Sequence, residues 1–369
     1  MLLNRIRLSV LAGALALGAG GMFACSDRND TTAPTDQPSL ARGGTPGPDL
    51  RAALAAQAHL TPLILAKEGV VGTGVSVGSD GKGVVRVFLV RAGAASVVKS
   101  FEGVAVETQV TGEIKAIDPT AAPSPGTDPT KRFNRPVPIG VSAGNLNDLV
   151  YLRTVCTTGT LGARLHGADG HYYALSNNHV FAVENKAQLG DPIIQPGQAD
   201  NGCRSTSADQ IGTLAAIVPL NFSRTGTNTV DAAAGDVGTT SPTVDNQTPS
   251  NGYGTPSSST VAASVGQSVK KYGRTTVLTH GSVSSINATI KVSYGKGNRA
   301  TFVNQIVFTG NNGGAFSDSG DSGSLIVTET GNNPVALLFA GSTSTTIGSP
   351  INNVLTSLGS ALNTTLTIQ

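Results

Sequence analysis

The sequence predicts a mostly β protein whose strands close into a barrel or pack as a sandwich, preceded by a small α+β unit. Three observations carry this expectation. Val, Thr, Ser, Gly and Asn recur in short runs among 46 glycines, while charged residues make up only 13 % of the 369-residue chain and tryptophan is absent; that composition favours strands over helices. The runs are separated by Gly, Ser and Asn turn signals. A proline-rich stretch, residues 118–138, divides the chain into two parts of different texture.

Along the chain, Asp49 is placed to cap a helix from Leu50 to His59 that Pro62 kinks or restarts. Val70–Val75 and Val84–Val90 read as strands joined by the turn Gly78–Gly81. A helical stretch around Ala95–Phe101 and an alternating strand Val104–Val110 complete a unit over residues 49–117. Beyond the linker, residues 139–369 carry strands at Gly159–Leu165, His171–Leu175, Ile211–Pro219, Val269–Tyr272, Gly281–Ile286, Gln305–Phe308, Leu325–Thr328 and Val335–Ala340. Thr239–Ser264 lacks an apolar period and reads as a long surface loop; Asn353–Leu362 reads as a terminal helix.

The first 25 residues read as a targeting segment. Arg5 and Arg7 precede an apolar run that is too short and too glycine-rich to span a membrane. Met22-Phe23-Ala24-Cys25 resembles a bacterial lipobox, with Cys25 acylated after cleavage; the alternative is an ordinary signal peptide cut at or near Ala24. Residues 26–48 then form a flexible tether. The chain is expected to be exported, as a membrane-anchored lipoprotein at the periplasm or cell surface or as a secreted protein. Removing residues 1–24 takes away two arginines and leaves acidic and basic residues in equal number. That balance gives no electrostatic case for nucleic acid. In an oxidising compartment Cys156 and Cys203 are expected to pair, the alternative being two buried thiols.

The chemistry is concentrated in three places. Gly320-Asp321-Ser322-Gly323 holds a serine in a glycine-flanked turn ahead of an apolar run. Ser322 is the expected nucleophile. Its rival Ser319 lacks a glycine two residues earlier, where an amide must face an oxyanion without a Cβ in the way. The Gly320 and Ser322 amides are the expected oxyanion donors. Among the five histidines, His59, His166, His171 and His280 lie in the N-terminal unit, at a hairpin turn or at a strand start, whereas His179 follows the apolar Tyr172-Tyr173-Ala174-Leu175 run and leads into Val180-Phe181. Asp231, ahead of Ala232-Ala233-Ala234, is preferred over Asp209, Asp236 and Asp245 because that run can bury its carboxylate against the imidazole. The order His…Asp…Ser distinguishes this arrangement from other hydrolase folds. Gly320-X-Ser322-X-Ser324 is not the Gly-X-Ser-X-Gly elbow, and no zinc, EF-hand or phosphate-loop motif is present. No metal or cofactor is expected.

From about Val137 onward the chain resembles the chymotrypsin-type (trypsin-like) serine peptidases, and within them the plant narrow-leaf peptidase family and its bacterial relatives. The resemblance is carried by Pro138-Ile139-Gly140-Val141-Ser142, Ala174-Leu175-Ser176-Asn177-Asn178-His179-Val180, Asn228-Thr229-Val230-Asp231-Ala232, Gly273-Arg274-Thr275-Thr276 and Gly320-Asp321-Ser322-Gly323-Ser324. It implies a chymotrypsin-like double β-barrel, two perpendicular six-stranded barrels with the triad between them, acting on protein or peptide substrates through an acyl-enzyme. It places Phe316 at the floor of the substrate pocket and Phe339, Ala340 and Gly341 along one wall, implying preference for small or apolar residues. Two departures stand out. Gly323-Ser324-Leu325 replaces the usual Gly-Gly-Pro. Some trypsin relatives activate when a new N-terminus pairs with the aspartate before the nucleophile; here a whole unit precedes the barrels, so Asp321 is expected to make another contact. A catalytically idle binding module and an esterase remain alternatives, and the oligomeric state is open.

Overall fold

The computed structural model describes residues 49–116, 128–153 and 155–369. The targeting segment with Cys25, the tether and residues 118–127 of the linker lie outside the described residues. Among those described, no helix is long and apolar enough to cross a membrane.

Strand pairing closes two barrels. In the first, Ser142–Asn145 pairs with Gly159–Thr160; the same run continues as Ala163–Gly167, which pairs with Tyr172–Ser176. Ala233–Gly238, Gln210–Ile217 and Pro192–Ile194 follow, and the last pairs back with Ser142–Asn145. In the second, Ser268–Gly273, Val277–Ser293, Arg299–Gly310, Thr346–Pro350, Pro334–Gly341 and Leu325–Thr328 pair in that order, and the last returns to Ser268–Gly273. Each ring has six strands and closes on itself. The fold is therefore mostly β with a chymotrypsin-like double β-barrel.

Period-two alternation sets what each barrel face meets. On Leu325–Thr328, Ile326 points into the second barrel with Val269, Val283, Ile306 and Phe308. Its neighbours Leu325 and Val327 pack instead against Leu165 and Leu175 of the first barrel and against the terminal helix Ile351–Leu362 through Val354 and Leu358. The helix expected at Asn353–Leu362 thus serves as a plug over the seam.

The N-terminal unit is joined to the second barrel by sheet and by core. Val70–Val77 pairs with Gly83–Leu89 on one side and with the distal half of the 17-residue strand Val277–Ser293 on the other. Leu50, Ala53, Ala56, Leu60 and Ile64 of the first helix share one cluster with Val283, Phe308 and Leu338. Each large aliphatic side chain buried there is worth about 1.5–3 kcal/mol. The helix runs Arg51–Ile64, straight through Pro62. Pro62 removes the donor that would meet the Ala58 carbonyl, and with only two helical residues after it the cost is confined to the last turn. The helix expected at Ala95–Phe101 is absent: Ser100–Phe101 is a short strand that turns through Glu102 and Gly103, both at positive φ, into Val104–Val110. The local turn chemistry overrides an alanine-rich stretch. Thr239–Ser264 contains no helix and no strand beyond one isolated bridge at Val244.

Candidate active site

His179 lies in a short helical turn, Asn178–Phe181, at the end of strand Tyr172–Ser176. Its Nδ1 faces Asp231 Oδ2 at 2.7 Å, and its backbone N–H donates to Asp231 Oδ1 at 3.2 Å. The carboxylate is fully buried and the imidazole side chain 8 % exposed. The loop carrying Asp231 is pinned from both barrels. Asn177 Nδ2 donates to the Asp231 carbonyl at 2.8 Å, and Gln305 Nε2 donates to the Thr229 carbonyl at 2.8 Å. With Nδ1 engaged by the carboxylate, proton transfer falls to Nε2.

A third donor on Asp231 is invisible to motif reading. Tyr294, at the end of the long strand Val277–Ser293, donates its hydroxyl to Asp231 Oδ2 at 2.7 Å. Burial, reinforced by the adjacent carboxylate, pushes the Tyr294 hydroxyl well above the usual phenol range, so it stays a donor. Its ring stands edge-on to His179, centroids 6.0 Å apart, and stacks on Phe302. A sequence signal exists: Ala288, Ile290, Val292 and Tyr294 all fall on one buried face of an alternating run. A buried tyrosine hydroxyl requires a partner.

Ser322 sits on the second barrel in a turn held by the first. Thr160 N–H donates to the Ser322 carbonyl at 2.7 Å, and Thr160 Oγ1 donates to the Gly320 carbonyl at 2.8 Å. A Cβ placed on Gly159 would fall 2.5 Å from Val180, next to His179, and 2.9 Å from the Ser322 carbonyl. The histidine and serine segments therefore converge on a position only glycine fits. Gly320 has φ +94°, a left-handed conformation that glycine alone adopts without strain. The expected oxyanion amides, of Gly320 and Ser322, belong to this turn. The Ser322 hydroxyl itself is fully buried, and its hydrogen bond in the structure goes to the Phe339 carbonyl at 3.4 Å. Ser319 is half-buried; its carbonyl accepts the Thr275 hydroxyl.

Asp321 makes the different contact expected of it. It is fully buried, with the Lys271 ammonium 3.1 Å from Oδ2. Thr275 and Thr276 N–H donate to Oδ1 at 2.8 and 3.1 Å, and Asp318 N–H to Oδ2 at 3.1 Å. Lys271 also donates to Thr276 Oγ1 and to the Val277 carbonyl. Burial pulls its ammonium below the usual lysine range, against the pull of Asp321. An internal cation thus braces the Ser322 turn. Replacing Lys271 with methionine is expected to cost about 3–5 kcal/mol, because it strands a buried carboxylate. The urea midpoint of Lys271→Met against wild type checks this.

The rings expected at the pocket are packed. Phe316 is 2 % exposed and stacks on Phe308 inside the second barrel. Phe339 lies against Phe302, with centroids 4.5 Å apart, and Ala340 and Gly341 are buried beside it. A cavity of about 210 Å³ reaches His179 and is lined by Ala116, Leu152, Thr157, Glu184 and Tyr294. Of the other histidines, His59, His171 and His280 face Glu102, Asp236 and Glu329 at the periphery.

Cys156 and Cys203 form the expected disulfide, Cα atoms 5.8 Å apart across 47 residues. Closing a loop of that size stabilises by about 2–4 kcal/mol. Close by, the buried Asp148 accepts Thr157 N–H and Oγ1 through Oδ2, while Oδ1 has no hydrogen-bond partner among the described residues. Burial raises this carboxyl from 3.8 to about 6. A folded-state value above the unfolded one gives stability that is complete below 3.8 and lost as pH rises through about 6. Asp148→Asn is expected to remove that loss and to stabilise the protein at pH 8 by ~2–3 kcal/mol. Urea midpoints at pH 5 and pH 8 measure it.

Comparison with known proteins adds the following. The model of the Nal1 C-terminal domain matches residues 255–348, which include Ser322. No curated protein matches the sequence. Among solved structures, Thermobifida fusca protease A is 18 % identical, with a TM-score of 0.42 over 63 % of this chain and 97 % of its own. A glutamic acid-specific serine protease is 21 % identical (TM-score 0.41; 63 % of this chain, 100 % of its own). Nocardiopsis protease is 18 % identical (TM-score 0.41; 63 % and 98 %). At this level of similarity, what the site can do must be read from the chain's own residues.

Proposed function

We propose that the chain is an exported serine endopeptidase of the narrow-leaf type, in which Ser322 attacks a peptide carbonyl, His179 takes and returns the proton, and Asp231 orients the imidazole. The observation that carries this reading is the buried 2.7 Å contact between His179 Nδ1 and Asp231, on a glycine seam shared with the Ser322 turn. Hydrolysis then follows ordinary acyl transfer. The serine oxygen bonds to the carbonyl carbon while its proton passes to His179 Nε2. The oxyanion is met by the Gly320 and Ser322 amides. The leaving amine takes the proton from His179, and water repeats the sequence on the acyl-enzyme. The resemblance sets Phe316, Phe339 and Ala340 around the residue before the cleaved bond, and on that ground small or apolar residues are preferred there; a peptide-library profile with basic residues would reverse that assignment.

The Cys156–Cys203 bridge supports export, since disulfides persist in oxidising compartments. A lipid on Cys25 is part of the proposal; the mass of the mature N-terminus separates it from cleavage at or near Ala24. A second reading, an idle module binding peptides on a peptidase scaffold, is favoured by the direction of the Ser322 hydroxyl, which donates to Phe339. Treatment of the folded protein with a fluorophosphonate distinguishes them. Labelling at Ser322 supports the enzyme, and its absence the module.

A further inference from the structure

One edge of the second barrel is completed by a piece of chain from outside it. On one side, strand Pro334–Gly341 pairs with Thr346–Pro350 to its end, Ala340 opposite Ile347 and Gly341 opposite Thr346. On the other side the partner changes along its length. Leu325 pairs with Leu337, and Gly323 and Ser324 exchange hydrogen bonds with Leu338 at 2.8 and 3.0 Å. Ser322 then reaches the Phe339 carbonyl. Beyond the nucleophile the ladder is taken over by Lys115–Ala116, with Ala116 opposite Ala340 and Lys115 opposite Gly341.

The direction of this segment matters more than its presence. The pairing is antiparallel, so as the wall strand leads away from Ser322, the segment runs from Lys115 to Ala116 toward it. A peptide donating its acyl group to Ser322 must approach in that sense. Its residues before the cleaved bond extend away from the hydroxyl and take main-chain hydrogen bonds from the nearest free strand edge. That edge, in this chain, is Ala340–Gly341. Ala116 also lines the cavity that reaches His179 and Tyr294.

The hold on the segment is local. Ile114 is 1 % exposed in the cluster of Val292, Tyr294, Phe302 and Phe339, and its carbonyl accepts Ser293 N–H at 2.9 Å. Glu113 accepts the Ser293 hydroxyl at 2.8 Å and lies 3.6 Å from Arg299. Lys115 itself points to solvent. Lys115 also pairs in parallel with Ser293, and Ala116 packs against the same cluster; these contacts span only three residues, so a longer strand that offers the same backbone groups can displace the segment.

We propose that Ile114–Ala116 is an internal occupant of the substrate strand site, laid along Ala340–Gly341 in the sense a peptide substrate takes, and that an extended peptide binds by displacing it. This rests on the peptidase reading above. Occupancy lowers apparent substrate affinity by the fraction of molecules in which the edge is clear. A small reagent that needs only the serine escapes the penalty.

The experiment compares two reagents on the full chain, an apolar tripeptide boronate and a fluorophosphonate without a peptide arm, followed by hydrogen exchange over residues 112–116. Displacement predicts faster exchange at Lys115 and Ala116 with the boronate and none with the fluorophosphonate. Boronate bound at Ser322 with exchange at the segment unchanged overturns the proposal and leaves the peptidase reading intact. Failure of both reagents to modify Ser322 overturns both. Independently, Ile114→Ser is expected to lower KM for a peptide anilide about tenfold, with the fluorophosphonate labelling rate unchanged; an unchanged or raised KM in the folded variant counts against displacement.

Discussion

Ser322→Ala is expected to abolish fluorophosphonate labelling and to lower kcat for a peptide anilide by about 10⁴-fold or more, with KM little changed. The reason is specific to this turn. The alanine keeps the Gly320 φ, the Thr160 contacts to the Gly320 and Ser322 carbonyls, and the Asp321–Lys271 pair, none of which uses the serine hydroxyl. Among the described residues the only hydrogen bond lost is the long one to the Phe339 carbonyl, so the melting temperature should stay within a few degrees. Activity lost without stability lost assigns the hydroxyl to chemistry. Ser319→Ala is the matched control, since the Ser319 hydroxyl plays no part in the proposed reaction, and it should retain turnover. A Ser322→Ala protein that still cleaves at the wild-type rate would transfer the nucleophile elsewhere.

The parts of the molecule legible in the sequence were those set by local pattern. The strands of both barrels announce themselves through alternation and glycine turns, and the observed elements extend the expected ones: Gly281–Ile286 becomes Val277–Ser293 because the strand serves the barrel at one end and the N-terminal sheet at the other. His179 and Asp231 were legible because their positions, after an apolar strand and before an alanine run, demand burial. What pattern could not supply was which long-range groups meet. Lys271 shares a face with Val269, and period two turns both inward, so an interior lysine was readable; its partner Asp321, 50 residues on, was not. Thr160 and Gly159 look like ordinary strand residues until the Ser322 turn is laid on them. The helix expected at Ala95–Phe101 failed for the converse reason: alanines favour helix weakly, and Gly93, Glu102 and Gly103 at positive φ confine the chain to turns.

Asp231→Asn should lower kcat by about 10⁴ while leaving the fold intact, because an amide in that place holds the imidazole in the wrong tautomer. Tyr294 makes this chain's version of the effect unusual, since the same Oδ2 accepts both His179 Nδ1 and the tyrosine hydroxyl at 2.7 Å. Two donors on one oxygen hold the carboxylate in the plane that suits the imidazole, and the hydroxyl, buried and always protonated, contributes without titrating. Tyr294→Phe removes one hydrogen bond to a charged group, worth about 1.5–3 kcal/mol, so kcat should fall roughly 10–100-fold with KM unchanged. The ring remains to pack on Phe302 and Phe222. The double variant decides how Tyr294 acts. If it works only through Asp231, Asp231→Asn/Tyr294→Phe loses no more than Asp231→Asn alone, the non-additivity expected of residues that act as a unit. Multiplying losses would instead mean that the tyrosine serves the reaction by another route, such as shielding His179 from water through their edge-on contact.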